Sequence, residues 1–423
     1  MDHVRHLECL VCAKQYGVGD IDYVCPDHGP ADGVVDVVYD YGALRASVDR
    51  DALSASADRT MFRYRDLLPI EADSPAPPLP IGGTPMWAVP EAGAPLGLRD
   101  VWVKDEGRNP TASLKDRASA VAVIKARESG ADVVTTASTG NAAAALAGVS
   151  ASMGQANVIF VPASAPEAKV AQLLAYGATV FLVEGTYDDA YELCLEAADE
   201  FGWYNRSTGF NPYMSEGKKT ASYEIAETLG WAAPDAVIVS VGDGCIIGGL
   251  HKGFFDLHQL GWINHMPRLI GVQAKGSNYL AAAWEDGSDV LTKPPIDAVT
   301  VADSISAGLP RDRLKAMRAV VDTSGGYVTV SDDQILAAIP ELAERTGVFA
   351  EPAAAAGYAG LSGAVEQGLL DRDDRVVVLS TGSGLKDIGA AMKGVAAAGG
   401  AARHVRPTLE DLKRQMTETD PKD

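Results

Sequence analysis

From about residue 100 onward, short apolar runs alternate with longer Ala-rich stretches. VVTTAS (133–138) precedes GNAAAALAGVSASMG (140–154), NVIFVP (157–162) precedes EAKVAQLLAYG (167–177), and TVFLVEG (179–185) precedes DDAYELCLEAADEFG (188–202). The short runs have the length and β-branched content of buried strands, and the longer ones read as helices. The pattern resumes at AVIVSVGDG (236–244), RLIGVQA (268–274) and RVVVLSTG (375–382). Alternation of this kind predicts an α/β fold with parallel-rich sheets covered by helices. Earlier in the chain, residues 1–40 form a turn-rich unit whose apolar run Val34–Tyr39 is a predicted strand, and residues 71–85 are rich in Pro and Gly and predict an extended segment. Two stretches, 275–310 and the tail after Ala396, are less clear, and there is no solenoid repeat.

Composition narrows the class. The chain has 423 residues, enough for two to three domains, and 47% of them are hydrophobic, enough for a sizeable core. Its 57 acidic against 36 basic residues leave a net charge of -21, which argues against a nucleic-acid partner, since phosphates require a basic face. The first ten residues, MDHVRHLECL, carry no secretory signature, and no run of about 18 apolar residues predicts a membrane span. Five cysteines in this length make no disulfide scaffold, so a cytoplasmic location is expected.

Candidate chemistry gathers where predicted strands end, which is where an open α/β sheet places its ligand. Ala137-Ser138-Thr139-Gly140-Asn141 leads directly into an Ala-rich helix; its backbone N–H groups suit a carboxylate or phosphate, and its polar side chains equally suit a helix cap. Gly242-Asp243-Gly244-Cys245-Ile246 has the glycine content of an anion cradle but neither the dinucleotide spacing nor a Walker lysine. Ser380-Thr381-Gly382 presents a hydroxyl to the cleft or bonds locally within its turn. Lys115 follows the polar turn Asn109–Leu114 and opens a helix; pointed inward, its amine would form a Schiff base, and pointed outward it is a solvated surface residue.

Asn109-Pro110-Thr111-Ala112-Ser113-Leu114-Lys115-Asp116-Arg117 resembles the lysine motif of the fold-type-II pyridoxal-phosphate enzymes. With ASTGN (137–141), GDGCIIGG (242–249), EPAAAAG (351–357) and STGSGLKD (380–387), the chain is similar to the threonine synthase group from about Gly82 to Ala391. The resemblance implies a tryptophan synthase β-like architecture: a large cofactor-binding domain from 41–129 and 216–400, a small α/β domain at 130–215, and a tail at 401–423. It also implies a homodimer, a small amino-acid substrate and pyridoxal 5'-phosphate as cofactor. Residue by residue, Lys115 matches the Schiff-base lysine that moves the Cα proton, and Asn141 the partner of the cofactor's phenolic oxygen. Ser138, Thr139 and Gly140 match the substrate-carboxylate loop, and Gly242, Asp243, Gly244, Cys245 and Ile246 the cofactor-phosphate loop, where relatives often have Asn at the Asp243 position. Thr381 matches the hydroxyl facing the pyridine nitrogen; a neutral partner there suits eliminations.

The resemblance has gaps at one place. The group's substrate-phosphate frame N-S-x-N-P-x-R-x-E-G-x-K-T reads here Thr208-Gly209-Phe210-Asn211-Pro212-Tyr213-Met214-Ser215-Glu216-Gly217-Lys218-Lys219-Thr220, so Ser has become Gly209 and Arg has become Met214. The Thr that follows the Gly-Asn pair in relatives is Ala142, and the His of their T-G-H-G-L-K-D motif is Ser383. Losing an Arg–phosphate fork removes a strong charge-assisted contact, although Arg206 or Lys218 would substitute if their side chains reached the pocket. The expected activity is a threonine synthase-like lyase performing α,β-elimination on a small amino acid, as an ammonia-lyase does, or β-replacement. The alternatives are threonine synthase itself, acting on O-phosphohomoserine through relocated ligands, and a non-catalytic regulator that keeps the fold.

Cys9 and Cys12 form one C-x-x-C pair, and Cys25 with His28 a C-x-x-H pair twelve residues on. Three cysteines and a histidine make a closed tetrahedral zinc set, so residues 1–40 are expected to be a zinc-ribbon-like unit with a structural Zn2+. Ala13 stands where a glycine would ease the first knuckle, and the alternative is a decayed ribbon with free thiols. Cys194 is expected in the core, and His251, His258 and His265 are assigned no metal.

Overall fold

The computed structural model describes residues 1–417 apart from Asp2, Thr139 and Pro166. Three sheets organise the chain. The N-terminal unit is an antiparallel sheet of β1 (Val4–Cys9), β2 (Gln15–Tyr16) and β3 (Val35–Tyr39), in the order β2-β1-β3. Only β3 stands out as a strand by its apolar residues, because β1 has a polar outer face and β2 is two residues long.

The large sheet has the order β12-β11-β10-β13-β5-β4. Its edge strand β4 (Met86–Ala88) runs antiparallel to β5 (Asp100–Asp105), and the other pairs are parallel: β10 (Ala236–Ser240), β11 (Arg268–Ala274), β12 (Gly326–Val330) and β13 (Arg375–Ser380). Both faces are covered, which explains the unbroken apolar runs. Side chains alternate between faces: Val237, Val239, Val377 and Leu379 pack against the helices Lys115–Glu128, Thr220–Thr228 and Cys245–Leu260, whereas Ala236, Ile238, Val376 and Val378 pack against Asp332–Thr346 and Pro352–Glu366.

Between β5 and β10 the chain builds a separate parallel sheet, β8-β7-β6-β9, from β6 (Val133–Ala137), β7 (Ala156–Pro162), β8 (Thr179–Val183) and β9 (Tyr204–Asn205). Each apolar run singled out after residue 100 contains a strand. The less regular stretch 275–310 contains the helix Tyr279–Asp286 and a single turn at Asp303–Ile305, and the tail ends in the helix Leu409–Thr417. Among the described residues no helix is long and apolar enough to cross a membrane.

Sheet order positions the site. β10, β13 and β5 are neighbours at the centre of the large sheet, so the loops leaving their C-terminal ends meet. Those loops carry Gly242–Ile246, Thr381 and the turn leading to Lys115.

Candidate active site

The turn before Lys115 is closed by its own helix. The Asp116 carboxylate accepts from Thr111 N at 2.7 Å and from the Thr111 hydroxyl, and Ala112 sits at φ 65°, a left-handed conformation that turns the chain back. Leu114 N donates to Thr381 O at 3.0 Å and Ser383 N to Ala112 O at 3.1 Å, tying this turn to the loop after β13. Below it lies a buried ion network. Arg117 donates to Glu106 Oε2 at 2.7 Å and to both Glu224 oxygens at 2.7 Å, while Lys104 Nζ reaches Glu224 Oε2 at 2.6 Å. Two cations against two carboxylates, all buried, neutralise one another and fix the helix that begins at Lys115.

Lys115, Asn141, Gly242, Asp243, Gly244, Cys245, Ile246 and Thr381 line one inner pocket, together with Ser240, Ser304, Ile305 and Glu351. All eight residues assigned to cofactor binding from sequence are therefore brought together, from four separate chain segments. An outer cavity of about 320 Å3 shares Asn141, Ser304 and Glu351 with it and adds Gly140, Lys169 and Lys386. Ser138 Oγ accepts from Gly140 N at 3.2 Å, so the hydroxyl shapes the turn that starts the helix Asn141–Met153. Thr139 lies outside the described residues.

Burial and the Lys218 charge together push the Lys115 ammonium down to about 8, against the opposing pull of Cys245 and Asp243. An amine so depressed is a usable base and nucleophile near neutral pH. Asp243, whose carboxylate would repel a phosphate if it pointed into the loop, is engaged elsewhere: its Oδ1 accepts from Arg311 N at 3.2 Å, and burial raises its pKa. Gly244 holds φ 94° as the N-cap of the helix Cys245–Leu260, where any side chain is strained, and an added Cβ would stand 2.6 Å from that of Ala316. The glycine loop and the start of the helix Cys245–Leu260 thus line the pocket, an arrangement suited to a phosphate.

Three features escaped the sequence. Glu351 was visible only as part of EPAAAAG; in the structure its Oε1 accepts from Asn141 Nδ2 at 2.7 Å, and burial raises its carboxyl to about 7 despite Lys386 and the Asn141 bond. Ser304 and Ile305 come from the stretch without clear periodicity, which offered no signal. The third is the setting of the Gly209 and Met214 departures. Met214 is wholly buried in the core, and Gly209, at φ 74°, lies where an added Cβ would meet Arg311 Cβ at 2.3 Å. Cys194 is buried as expected.

The N-terminal ligand set also assembles. One ligand atom each from Cys9, Cys12, Cys25 and His28 lies within 4.8 Å of the others, as the edges of a zinc tetrahedron require. Although burial disfavours it, the Cys25 thiolate is stabilised by Tyr16 and His28, to a pKa of about 6. Ala13 takes φ 59° at the first knuckle, the conformation glycine would adopt more easily. The unit is not detached from the rest: Lys252 Nζ donates to Val37 O at 2.6 Å, and Asn205 N to Tyr23 Oη at 2.9 Å.

Fit to pyridoxal phosphate is supported by the donor set and by Ser240 Oγ, a buried pocket hydroxyl with no partner among the described residues. Comparison with known proteins agrees. Residues 78–382 match the pyridoxal-phosphate dependent enzyme family. A threonine synthase of Methanocaldococcus jannaschii is 37% identical over 388 residues, covering 91% of this chain and 94% of its own. One from Mycobacterium tuberculosis is 37% identical over 331 residues, covering 78% and 89%. Among solved structures, threonine deaminase isoform 2 from Solanum lycopersicum superposes with a TM-score of 0.66 at 24% identity, covering 83% of this chain and 90% of that one. Diaminopropionate ammonia lyase from Escherichia coli does so at 0.64 and 17%, covering 82% and 92%; at these identities the likeness is one of fold.

Proposed function

The chain belongs to the pyridoxal-phosphate-dependent enzymes, in the group that contains the threonine synthases, and from that premise we propose how its own residues work as a lyase on a small amino acid. Bound in the pocket, pyridoxal phosphate supplies an electron sink for the charge left at Cα when its proton departs. Lys115 holds the cofactor and carries the Cα proton, and its convergence in one inner pocket with Asn141, the 242–246 loop and Thr381 is the observation on which this reading rests. Gly242 to Ile246 hold the phosphate, Asn141 meets the phenolic oxygen, Thr381 faces the ring nitrogen, and Ser138, Thr139 and Gly140 receive the substrate carboxylate. The small domain, 130–215, carries Asn141 and the carboxylate loop and would close over the cleft to exclude water. Residues 1–40 are the metal-holding unit and 401–423 a tail on the large domain, 41–129 with 216–400.

The preferred reaction is α,β-elimination giving a keto acid and ammonia, with β-replacement where a second nucleophile enters. It is supported by Met214 and Gly209, which stand where the group has Arg and Ser: Met214 is wholly buried in the core, and a side chain at Gly209 would run into Arg311. A second reading, threonine synthase with relocated ligands, is favoured by the 37% identity to threonine synthases and by Arg206 and Lys218, both buried near Lys115. An amino-acid panel assayed for keto acid and for released phosphate separates the two. Lys115→Ala should abolish the cofactor's visible absorption band and lower turnover by at least about a hundredfold; a variant that keeps both rejects the assignment. A homodimer in the cytoplasm, with no nucleic-acid partner, completes the proposal. The exposed row Leu385, Ile388 and Met392 supplies an apolar face for the second copy, and light scattering tests it.

A further inference from the structure

The N-terminal unit is held to the large domain by charge, and the residues it grips are neighbours of the glycine loop. Arg313, Lys315 and Lys252 are 4%, 6% and 8% exposed. Their carboxylate partners come from the unit: Asp32 meets Arg313 Nη2, and Asp36 stands 3.4 Å from Lys315 Nζ and 3.8 Å from Lys252 Nζ. No other carboxylate lies within ion-pair distance of these three cations among the described residues. Arg313 Nη1 also donates to Ala31 O at 3.2 Å, and Lys252 Nζ to Val37 O at 2.6 Å. The stretch that makes these contacts carries two of the four metal ligands, Cys25 and His28. His28 N and Gly29 N donate to Cys25 O at 3.1 and 3.0 Å, Cys25 N to Gly33 O at 2.8 Å, and Gly33 N to Gly29 O at 2.8 Å. Residues 25–33 are thus one closed turn, so tight that a Cβ on Gly33 would stand 2.5 Å from Gly29 O and 2.7 Å from Cys25 O.

The segment 311–316 that the unit grips also supports the pocket. Asp312 N donates to Asp243 O at 2.8 Å, and Arg311 N to Asp243 Oδ1 at 3.2 Å. An added Cβ on Gly244 would stand 2.6 Å from Ala316 Cβ and 3.0 Å from Asp312 O, and one on Gly248 2.8 Å from Lys315 Cβ. One short piece of chain therefore packs against both the metal-holding unit and the loop that lines the pocket. A unit of about forty residues has too small a core to stay folded alone and depends on its metal. Opening it withdraws Asp32 and Asp36 and leaves three buried cations without a counter-charge, which the segment relieves only by moving.

We propose that metal held by Cys9, Cys12, Cys25 and His28 and cofactor held at Gly242–Ile246 strengthen one another's binding, through the turn 25–33, Asp36 and the segment 311–316. The coupling rests on the assignment of the 242–246 loop to the cofactor. As a linkage it runs both ways by the same factor. The two-state element is the N-terminal unit itself, closed around its metal or open without it. Zinc is then a condition for tight cofactor binding rather than a remote staple.

The test reads binding rather than turnover, on the full chain. Pyridoxal phosphate is titrated into zinc-loaded and into chelator-stripped wild type and followed by its visible absorption band. Stripping should weaken the cofactor about tenfold, and saturating cofactor should raise by the same factor the chelator concentration that removes half the zinc. The double variant Asp32→Asn, Asp36→Asn keeps all four ligands and should still carry about one zinc per chain. Zinc-loaded, it should nevertheless bind cofactor as weakly as stripped wild type, because the unit no longer grips Arg313 and Lys315. Equal cofactor affinity in loaded and stripped wild type overturns the coupling, as does a zinc-loaded variant that binds cofactor like wild type. If stripped protein and variant both fail to fold, the chelator midpoint of wild type decides, and one that cofactor does not move overturns it. Zinc-loaded wild type that forms no band at all refutes the cofactor assignment itself, and the coupling with it, before any metal is removed.

Discussion

Replacing Glu351 by Gln should make the apoprotein more stable, and increasingly so as pH rises. Glu351 is 4% exposed, and burial lifts its carboxyl to about 7 from an ordinary 4.5, with Lys386, Lys115 and Lys169 the cations in reach. A carboxyl with a raised folded pKa binds its proton more tightly in the folded chain than in the unfolded one. Its contribution is fully present below about 4.5 and is lost as pH rises through about 7. The full difference amounts to about 3 kcal/mol, and the part that falls between roughly pH 5.5 and 8.5 to about 2 kcal/mol. Glutamine has no charge to lose, and its amide oxygen can still accept from Asn141. Urea unfolding of the two apoproteins at a series of pH values should therefore show the variant's advantage widening by about 2 kcal/mol across that range. Parallel stability curves would refute the inference that Glu351 is held as a buried, proton-retaining acid.

Arg117→Met should destabilise the protein by about 3–5 kcal/mol, read by urea unfolding, because Glu106 and Glu224 then keep only Lys104 between them. Met214→Arg, which the sequence frame suggests as a repair, should instead lower the melting temperature and give no phosphate-releasing activity, since position 214 is wholly buried in the core. Protein purified without chelator should carry about one zinc per chain by metal analysis. Chelation or Cys25→Ser should lower the melting temperature, because β3 of that unit is bonded to the helix Cys245–Leu260 through Lys252.

Much of the fold was legible before any coordinates, and for a physical reason. A parallel strand covered on both faces must be apolar throughout, so AVIVS and RVVVLS mark themselves, and the loops that follow carry the glycines and hydroxyls of a ligand site. The residues that line the inner pocket were legible too, since Lys115, Asn141, the 242–246 loop and Thr381 each belong to a short local motif. The ligand spacing of Cys9, Cys12, Cys25 and His28 likewise needs only local turns. The strands β1 and β2 were not legible, because two-residue and half-polar strands are defined by their partners rather than by their own pattern.

The side-chain environments were decided by tertiary structure alone. Glu351 is an ordinary glutamate before a proline until Asn141, on a different sheet's helix, is laid 2.7 Å from it and both are buried. Lys218 is one of two adjacent lysines in sequence, yet Lys219 is drowned in carboxylates whereas Lys218 meets a thiol. Whether Asp243 obstructs the phosphate loop depended on Arg311 N, some seventy residues away along the chain, which holds one of its oxygens. Charge, burial and pKa are sums over neighbours from distant segments, so they exist only once the chain has closed on itself. The sequence determined the fold and which residues would line its pocket; the packing determined their protonation and their partners.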